Sequence, residues 1–453
     1  MTLLLVQPPV SRELAYPLGL ATLAAAALRA GHAVVGCDLQ RQPMASLDSV
    51  LEAVRPDVVG VTCMTVSLPQ VREVLQRVRR GSDALLVAGG PHASLRPGDL
   101  LGPGPGASAD AVVVGDGEAP LLELLDLAAR HGVRRDRARD PGALSRIAGV
   151  AVAGPDGQIV VNQPVPQMDL DAWGPADRSV FRWDLYDEDL RPSLRPSAPV
   201  VTSRGCAHCC PWCPAAALWP RGWRPRDPKK VAAEMLDLAG RGVRRILVED
   251  DCFGADRSHV LALCRNLIES PSPLPRWEVA NGVRPADLDL ELLEALAAAG
   301  CRGLALGIEA APQVDRGSRY DARALPTLVA RARLLGIEVT GYYMVGRRPD
   351  RGGRWGEVRT RLDDLAAFRH ACSLGLDRAH FSVIAPLPGS EWDGAAGPRT
   401  IDMAMRACLY TGFYGSPSRI LRFLATEPAD PSGRVRLLVA GARRMARWLM
   451  PGR

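Results

Sequence analysis

The stretch Thr202-Ser203-Arg204-Gly205-Cys206-Ala207-His208-Cys209-Cys210-Pro211-Trp212-Cys213 decides how this chain is read. Cys206, Cys210 and Cys213 carry the spacing Cys-x-x-x-Cys-x-x-Cys, after an apolar run and before a helical pattern. Three thiolates on one short loop can hold three irons of a cubane iron–sulfur cluster and leave the fourth open. An open metal position means chemistry, because a purely structural site closes its coordination shell. Zinc is the alternative, but zinc usually takes four protein ligands. The nearest further donors, His208 and Cys209, lie inside the same loop, whereas the common zinc spacings use two separated pairs. Cys209 stands among the spacers and reads as a bystander.

Outward from this loop, both flanks alternate short apolar runs with helical periodicity, which argues for α/β layers. On the N-terminal side, strands are expected at Leu3–Val6, Ala33–Cys37, Val58–Thr62, Ala84–Ala88 and Ala111–Val114, with helices at Leu18–Ala30, Leu47–Val54 and Gln70–Arg80. This is the pattern of a doubly wound, Rossmann-like parallel sheet, whose ligands bind beyond the C-terminal strand ends. Turns rich in glycine and threonine fall at those ends: Thr62–Thr65, Gly89–His92 and Gly115–Glu118. None forms the G-x-G-x-x-G fingerprint, so a dinucleotide is not expected.

On the C-terminal side, Pro199–Ser203 leads into the cysteine loop. Strands at Arg245–Glu249, Arg276–Asn281, Gly303–Ile308, Glu338–Val345 and His380–Ala385 then alternate with helices at Pro228–Arg241, Ser258–Ser270, Leu288–Ala299, Leu325–Leu335 and Leu362–Leu374. About six β/α units make a partial or complete barrel, with function at the C-terminal strand ends. The cysteine loop, Glu249-Asp250-Asp251, Asn281-Gly282-Val283-Arg284 and Gly307-Ile308-Glu309 all occupy such ends. Lone acids there are often helix caps, but the recurrence at successive strands points to ligand contact. The expected boundaries are 1–135 for the first domain, 136–196 for a linker with a small β element (Ile147–Ala153 and Gln158–Asn162 as a hairpin), 197–395 for the barrel and 396–453 for a short helical C-terminus.

Composition narrows the function classes. Hydrophobic residues make up 47% and charged residues 23% of 453 residues, ordinary for a globular chain of two or three domains. No apolar run is long enough to cross a membrane, and the N-terminus lacks the basic region of a secretion signal. Lys229 and Lys230 are the only lysines, and the net charge is +6. The arginines are scattered and not clustered with aromatics, so no nucleic-acid partner is expected. The exception is the tail Arg434–Arg453, where arginines interleave with Leu437, Met445 and Trp448. It reads as a helix packed on the body, with membrane-surface contact as the alternative. Of the 11 cysteines, the seven outside the loop are scattered among apolar residues, which is cytosolic usage.

Cys206, Cys210 and Cys213, with aromatic Trp212 before the last, resemble the motif of the radical S-adenosylmethionine (SAM) superfamily. Ile246–Phe253, Asn281–Arg284, Leu292–Cys301, Leu306–Glu309 and Ala385–Ser390 resemble its later strand segments. The N-terminal half resembles the cobalamin-binding domain of one branch of that superfamily, through Tyr16–Leu20, Ala30–His32, Pro56–Thr62, Gly89–Ala93 and Val114–Glu118. Met168–Asp171, Phe413-Tyr414 and Ser416–Ile420 extend the likeness over nearly the whole chain.

The resemblance implies three cofactors: a 4Fe-4S cluster on Cys206, Cys210 and Cys213, SAM and cobalamin. It implies SAM or substrate contacts from Trp212, Asp250, Asp251, Asn281, Arg284 and Glu309. It implies cobalamin contacts from Pro17, Leu18, Gly19, Thr62, Met64, Thr65, Gly89, Gly90, Pro91, His92, Gly115, Gly117 and Glu118. The activity implied is a cobalamin-dependent radical methyl transfer to a carbon of a small molecule, or a ring-forming or ring-rearranging reaction with the same cofactors. A cytoplasmic location and a reducing partner such as a flavodoxin or ferredoxin go with it.

Two departures stand out. No histidine has an Asp two residues before it, so the D-x-H-x-x-G motif that supplies a cobalt ligand elsewhere is absent. Thr62–Leu68 would then line the lower face of the ring, with His92 orienting the loop. At the fifth strand, Met344-Val345-Gly346-Arg347-Arg348-Pro349-Asp350 replaces the Gly-x-Pro-Gly-Glu-Thr of many relatives.

Overall fold

A computed structural model of the chain describes residues 1–10, 15–102, 109–131, 141–154, 156–183, 186, 192–220, 222–273, 275–312, 320–346, 353–394, 400–417 and 420. The rewritten segment Arg347–Asp350 and the arginine-rich tail lie outside the described residues. The chain forms two compact units. The first comprises Met1–Tyr186, His208–Arg224 and Leu387–Glu391, and the second Asp187–Ala207, Pro225–Pro386 and Trp392–Arg453.

The first unit is built on β1 (Thr2–Gln7), α1 (Leu18–Arg29), β2 (Ala33–Asp38), α2 (Ser46–Val54), β3 (Val58–Thr62), α3 (Leu68–Gly81), β4 (Leu85–Gly89), α4 (Pro91–Leu95), β5 (Ala111–Val113), α5 (Glu118–His131), α6 (Pro141–Leu144), β6 (Val150–Ala153) and β7 (Ile159–Val161). The sheet order is β2-β1-β3-β4-β5-β6-β7. The pairs from β2 to β5 are parallel, and the last two are antiparallel. The hairpin read as a linker element is therefore the edge of this sheet. Its turn chemistry was legible; its pairing partner, β5, was not.

Helices cover both faces, which explains the unbroken apolar runs. Along β1, Leu3 and Leu5 join one buried cluster with Ala21, Ala24 and Leu124. Leu4 and Val6 join the other with Leu47, Leu51 and Val74. The alanines of α1 let it pack closely, and Gly31 ends it with φ +83°.

The second unit contributes β8 (Ser197–Val200), β9 (Ser203–Arg204), α7 (Ala215–Leu218, counted with the first unit), β10 (Arg224–Pro225), α8 (Pro228–Gly240), β11 (Arg245–Val248), α9 (Arg257–Ile268), β12 (Trp277–Val283), α10 (Leu290–Ala298), β13 (Cys301–Glu309), α11 (Leu325–Leu334), β14 (Glu338–Val345), α12 (Gly353–Ser373), β15 (Arg378–Val383) and α13 (Thr400–Tyr414). Six strands run parallel in the order β15-β14-β13-β12-β11-β8, a partial (β/α)6 barrel. Asp227, Asp256 and Asp289 cap α8, α9 and α10 by accepting backbone N–H bonds, as the sequence pattern favours.

The edge strand β15 is covered by α13. The Tyr410 hydroxyl accepts from Phe381 N, and the Tyr414 hydroxyl bridges Ala379 N and O. Side-chain hydroxyls thus satisfy an edge that would otherwise template pairing with another chain. Toward the other end of the strands, Glu278 contacts Arg276 and Arg245, and Glu338 contacts Arg378, a charge ladder across β11, β12, β14 and β15. Among the described residues no helix is long and apolar enough to cross a membrane.

Candidate functional site

In the first unit, the C-terminal ends of β3, β4 and β5 form a shelf. Gly90 sits at φ +95°, and a Cβ there would lie 2.7 Å from Thr62 Oγ1 and 3.0 Å from Cys63 N. Only glycine allows this approach. Cys63 N donates to Gly89 O and His92 N to Cys63 O, so the turns after β3 and β4 are stitched together. The shelf presents Met64 and Val66 to solvent, 47% and 59% exposed. Thr65 lies exposed between them. Ser67 is buried, accepts from Met64 N and donates to Met64 O. His92 is buried, with Nδ1 3.2 Å from Thr65 Oγ1 and Nε2 3.1 Å from Asp99 Oδ2. It acts on the shelf through Thr65 and does not itself reach the surface.

At the end of β5, Gly115 N donates to Ser94 Oγ. Glu118 is buried at the start of α5, so the expected direct contact from its side chain is not what the structure shows. Pro17 is buried and caps α1 with its carbonyl, while Gly19 is exposed and Leu18 partly so.

Sequence reasoning passed over Asp116. Its carboxylate is buried, accepts from Arg224 Nη1 at 2.6 Å and Nη2 at 3.3 Å, and from Gln167 N at 2.8 Å. Arg224 closes the segment that begins at His208, so this pair ties the far end of the cysteine loop to the end of β5. Gly389, at φ +79°, packs against Leu95 and Ala217, and Glu391 N donates to Pro211 O. Partners separated by 108 residues leave no local signal.

In the second unit, the stem of the cysteine loop is held by two adjacent carboxylates. Register pairs Val200 with Val248, which sets Asp250 opposite Thr202. Asp250 is 1% exposed and accepts from Thr202 N at 2.6 Å, Thr202 Oγ1 at 2.5 Å and Ser203 Oγ at 2.6 Å. Asp250 is therefore a positioning residue, and the expected SAM contact is corrected: its oxygens are spent on the stem. Burial pushes its carboxyl up to about 6, against the hydrogen bonds from Ser203 and Thr202. Asp251 is exposed and accepts from Gly205 N at 2.9 Å.

Asn281 is exposed, its Nδ2 donating to Glu249 O. Arg284 and Glu309 are partly exposed. Glu309 sits at φ +65°, a left-handed conformation for a non-glycine residue, next to a bulge between Gly307 and Glu309 in the β13–β14 pairing. Such strain persists where surrounding structure imposes it, commonly at functional positions. The buried Cys252 thiol, one of the scattered cysteines in the sequence, is hydrogen-bonded to Cys206, which together with burial pushes it up strongly.

The donor chemistry fits the implied groups. Cys206, Cys210 and Cys213 are free thiols, each partly buried. Cys213 N turns back onto Cys210 O. Trp212 beside them is partly exposed. Met64, Thr65 and Val66, exposed over a glycine-only turn, offer a largely apolar contact suited to a broad planar ring.

Comparison with known proteins agrees. Residues 10–125 match the family described as the B12 binding domain. The chain is 25% identical to an uncharacterized methyltransferase of Pyrococcus horikoshii, over 87% of this chain and 83% of that one. It is 28% identical to an anaerobic magnesium-protoporphyrin IX monomethyl ester cyclase of Rubrivivax gelatinosus, over 76% of this chain and 60% of the cyclase. Among solved structures, the radical S-adenosylmethionine methyltransferase TsrM from Kitasatospora setae, with tryptophan and a SAM analogue bound, shares the fold. The TM-score is 0.68 at 23% identity, covering 90% of this chain and 76% of TsrM.

Proposed function

We propose that this chain is a member of the cobalamin-binding branch of the radical S-adenosylmethionine superfamily and that it transfers a methyl group to a carbon of a small-molecule substrate. It is an enzyme of the cobalamin-dependent radical SAM class, and its cofactors are a 4Fe-4S cluster, SAM and cobalamin. When bound, these supply a deoxyadenosyl radical and a transferable methyl group.

The chain's own residues hold and orient. Cys206, Cys210 and Cys213 carry the cluster and leave one iron position for SAM. Asp250 and Asp251 fix the loop that presents those thiols. Trp212, Asp251, Asn281, Arg284 and Glu309 face SAM, and Met64, Thr65, Gly89, Gly90 and Gly115 frame the cobalamin shelf. Positioning of this kind is most of what the protein contributes. Electrons come from a reducing partner such as a flavodoxin or ferredoxin.

The observation that carries the reading is the occurrence in one chain of the cysteine motif, following the first strand of a six-stranded parallel barrel, and a B12-binding sheet. The tryptophan bound in TsrM supports a small-molecule substrate. The similarity to a cyclase supports a second reading, ring formation without methyl transfer. Product mass separates the two. The reduced, reconstituted protein is incubated with methyl-labelled SAM and an extract of small metabolites. A product that gains one labelled methyl supports transfer to carbon once fragmentation places the label there. A product differing from its precursor only in hydrogen count contradicts it.

A further inference from the structure

Successive residues beyond β11 grip successive steps of the cysteine loop. Asp250 takes Thr202 and Ser203, and Asp251 takes Gly205 N. Cys252 takes the next step: its thiol is hydrogen-bonded to Cys206, and the backbone N–H of Ala207 donates to its sulfur. The pairing of Val200 with Val248 starts this ladder, and the two segments run on in step past the paired strands. The first two rungs are carboxylates that accept from the loop. The third is a thiol against a thiol, at a residue that carries an iron.

The chemistry decides which sulfur keeps a proton. A thiol loses its proton to ligate a metal, so Cys206 as a ligand is a thiolate with lone pairs to offer. Cys252 is 4% exposed, and its Sγ and an Asp287 carboxylate oxygen lie within 4.8 Å of each other. Burial and that neighbouring charge both keep Cys252 protonated. Its S–H is then the donor and Cys206 Sγ the acceptor. Packing fixes the donor in place: Phe253 beside it is buried and meets Trp277 edge-on, ring centroids 6.1 Å apart.

A donor to a ligating sulfur draws charge away from the iron, and hydrogen bonds to the sulfurs are one of the levers that set a cluster's potential. We propose that Cys252 is a positioning residue that donates its S–H to the ligating Cys206 sulfur and so raises the potential at which the 4Fe-4S cluster accepts an electron. This rests on the reading that Cys206, Cys210 and Cys213 carry the cluster. It deepens that reading by giving a further cysteine a role without ligation, one that leaves the open iron open.

The test is the midpoint potential of the cluster, followed by electron paramagnetic resonance without SAM, in protein reconstituted anaerobically with iron and sulfide. Cys252→Ala and Cys252→Val both remove the donor, the first leaving a small space and the second filling it. Each is expected to lower the reduction equilibrium constant about fivefold, about 40 mV for one electron. Cys252→Ser keeps an O–H donor and is expected to recover most of the shift. Resonance Raman spectra in heavy water give a second readout: the iron–cysteine sulfur stretch should respond to deuteration more in wild type than in Cys252→Ala. The proposal is overturned if the donorless variants leave the potential unchanged or raise it, or if their deuterium response equals that of wild type. It is also overturned if Cys252→Ser shifts as far as Cys252→Ala, since the effect is then one of packing, or if all three variants fail to take up a cluster, since Cys252 then serves assembly and not tuning. Wild-type protein that forms no 4Fe-4S cluster sinks the cluster reading and this proposal with it. A normal cluster with a potential indifferent to Cys252 sinks this proposal alone.

Discussion

The shelf after β3 and the stem of the cysteine loop after β8 face the same problem: each fixes a segment at the end of a parallel strand. They solve it by opposite means. The shelf relies on backbone approach, with Gly90 against Thr62 and Cys63 and a buried imidazole as a spacer. The stem relies on a buried carboxylate that gathers three donors from Thr202 and Ser203. A glycine contact tolerates no added atom, whereas a buried acid tolerates no missing one. The first kind of support fails by insertion and the second by deletion.

Mutations can break the comparison in order of size. The largest effect is expected at Arg224, where the pairing with Asp116 is buried on both sides. Arg224→Met leaves Asp116 without its countercharge and should cost about 3–5 kcal/mol. Urea denaturation should show a lowered midpoint, and adding Asp116→Leu should recover most of the loss. If the single variant is as stable as wild type, the pair does not anchor the loop.

Asp250→Ala comes next, at about 2–3 kcal/mol, because it strands the donors of Thr202 and Ser203. Asp250→Asn should cost much less near neutral pH, since the amide oxygen still accepts from Thr202 N and no charge is buried. The two forms should also differ in pH response. Asp250 titrates near 6 when folded and near its ordinary value of about 3.8 when unfolded. The folded state therefore holds the proton more tightly. The stability this contributes is complete below about pH 4 and is lost as pH rises through 6. By linkage the change is about 3 kcal/mol. Wild type should lose stability relative to Asp250→Asn between pH 4.5 and 7; a constant difference would show that the carboxyl is not raised.

On the shelf, Gly90→Ala should cost about 2 kcal/mol through its positive φ and the clash with Thr62, with cobalamin uptake reduced in step. The smallest change in stability is expected from Val66→Ser, within about 0.5 kcal/mol for an exposed side chain. There the readout is affinity: cobalamin titration should weaken several-fold. Unchanged affinity would place the ring elsewhere.

Much of this was legible in the sequence, for reasons that show where legibility stops. Cysteine spacing, strand periodicity and glycine turns are local, and each was placed at the strand end expected for it. The order of the barrel strands followed from simple succession. What could not be read was pairing at a distance. Asp250 and Asp251 are neighbours with the same chemistry, yet only register across β8 and β11 buries one beneath Thr202 and leaves the other exposed. Asp116 lay inside a motif that had been singled out, but its partner Arg224 is one of many scattered arginines. His92 was expected to orient its loop, and its ring contacts, Thr65 and Asp99, had no signal in the sequence. The hairpin was visible as a hairpin, and its attachment to β5 depended on an edge that no local pattern announces.

We propose that one chain carries both a radical-initiating cysteine loop and a cobalamin-binding domain. Liquid chromatography with mass detection of 5′-deoxyadenosine tests it most directly, on protein reconstituted anaerobically with iron, sulfide and hydroxocobalamin, reduced and given SAM. The account predicts 5′-deoxyadenosine from the wild type and none from Cys206→Ala, Cys210→Ala or Cys213→Ala. Its absence from a wild type that holds both cluster and cobalamin, or its undiminished formation by those variants, would contradict the claim.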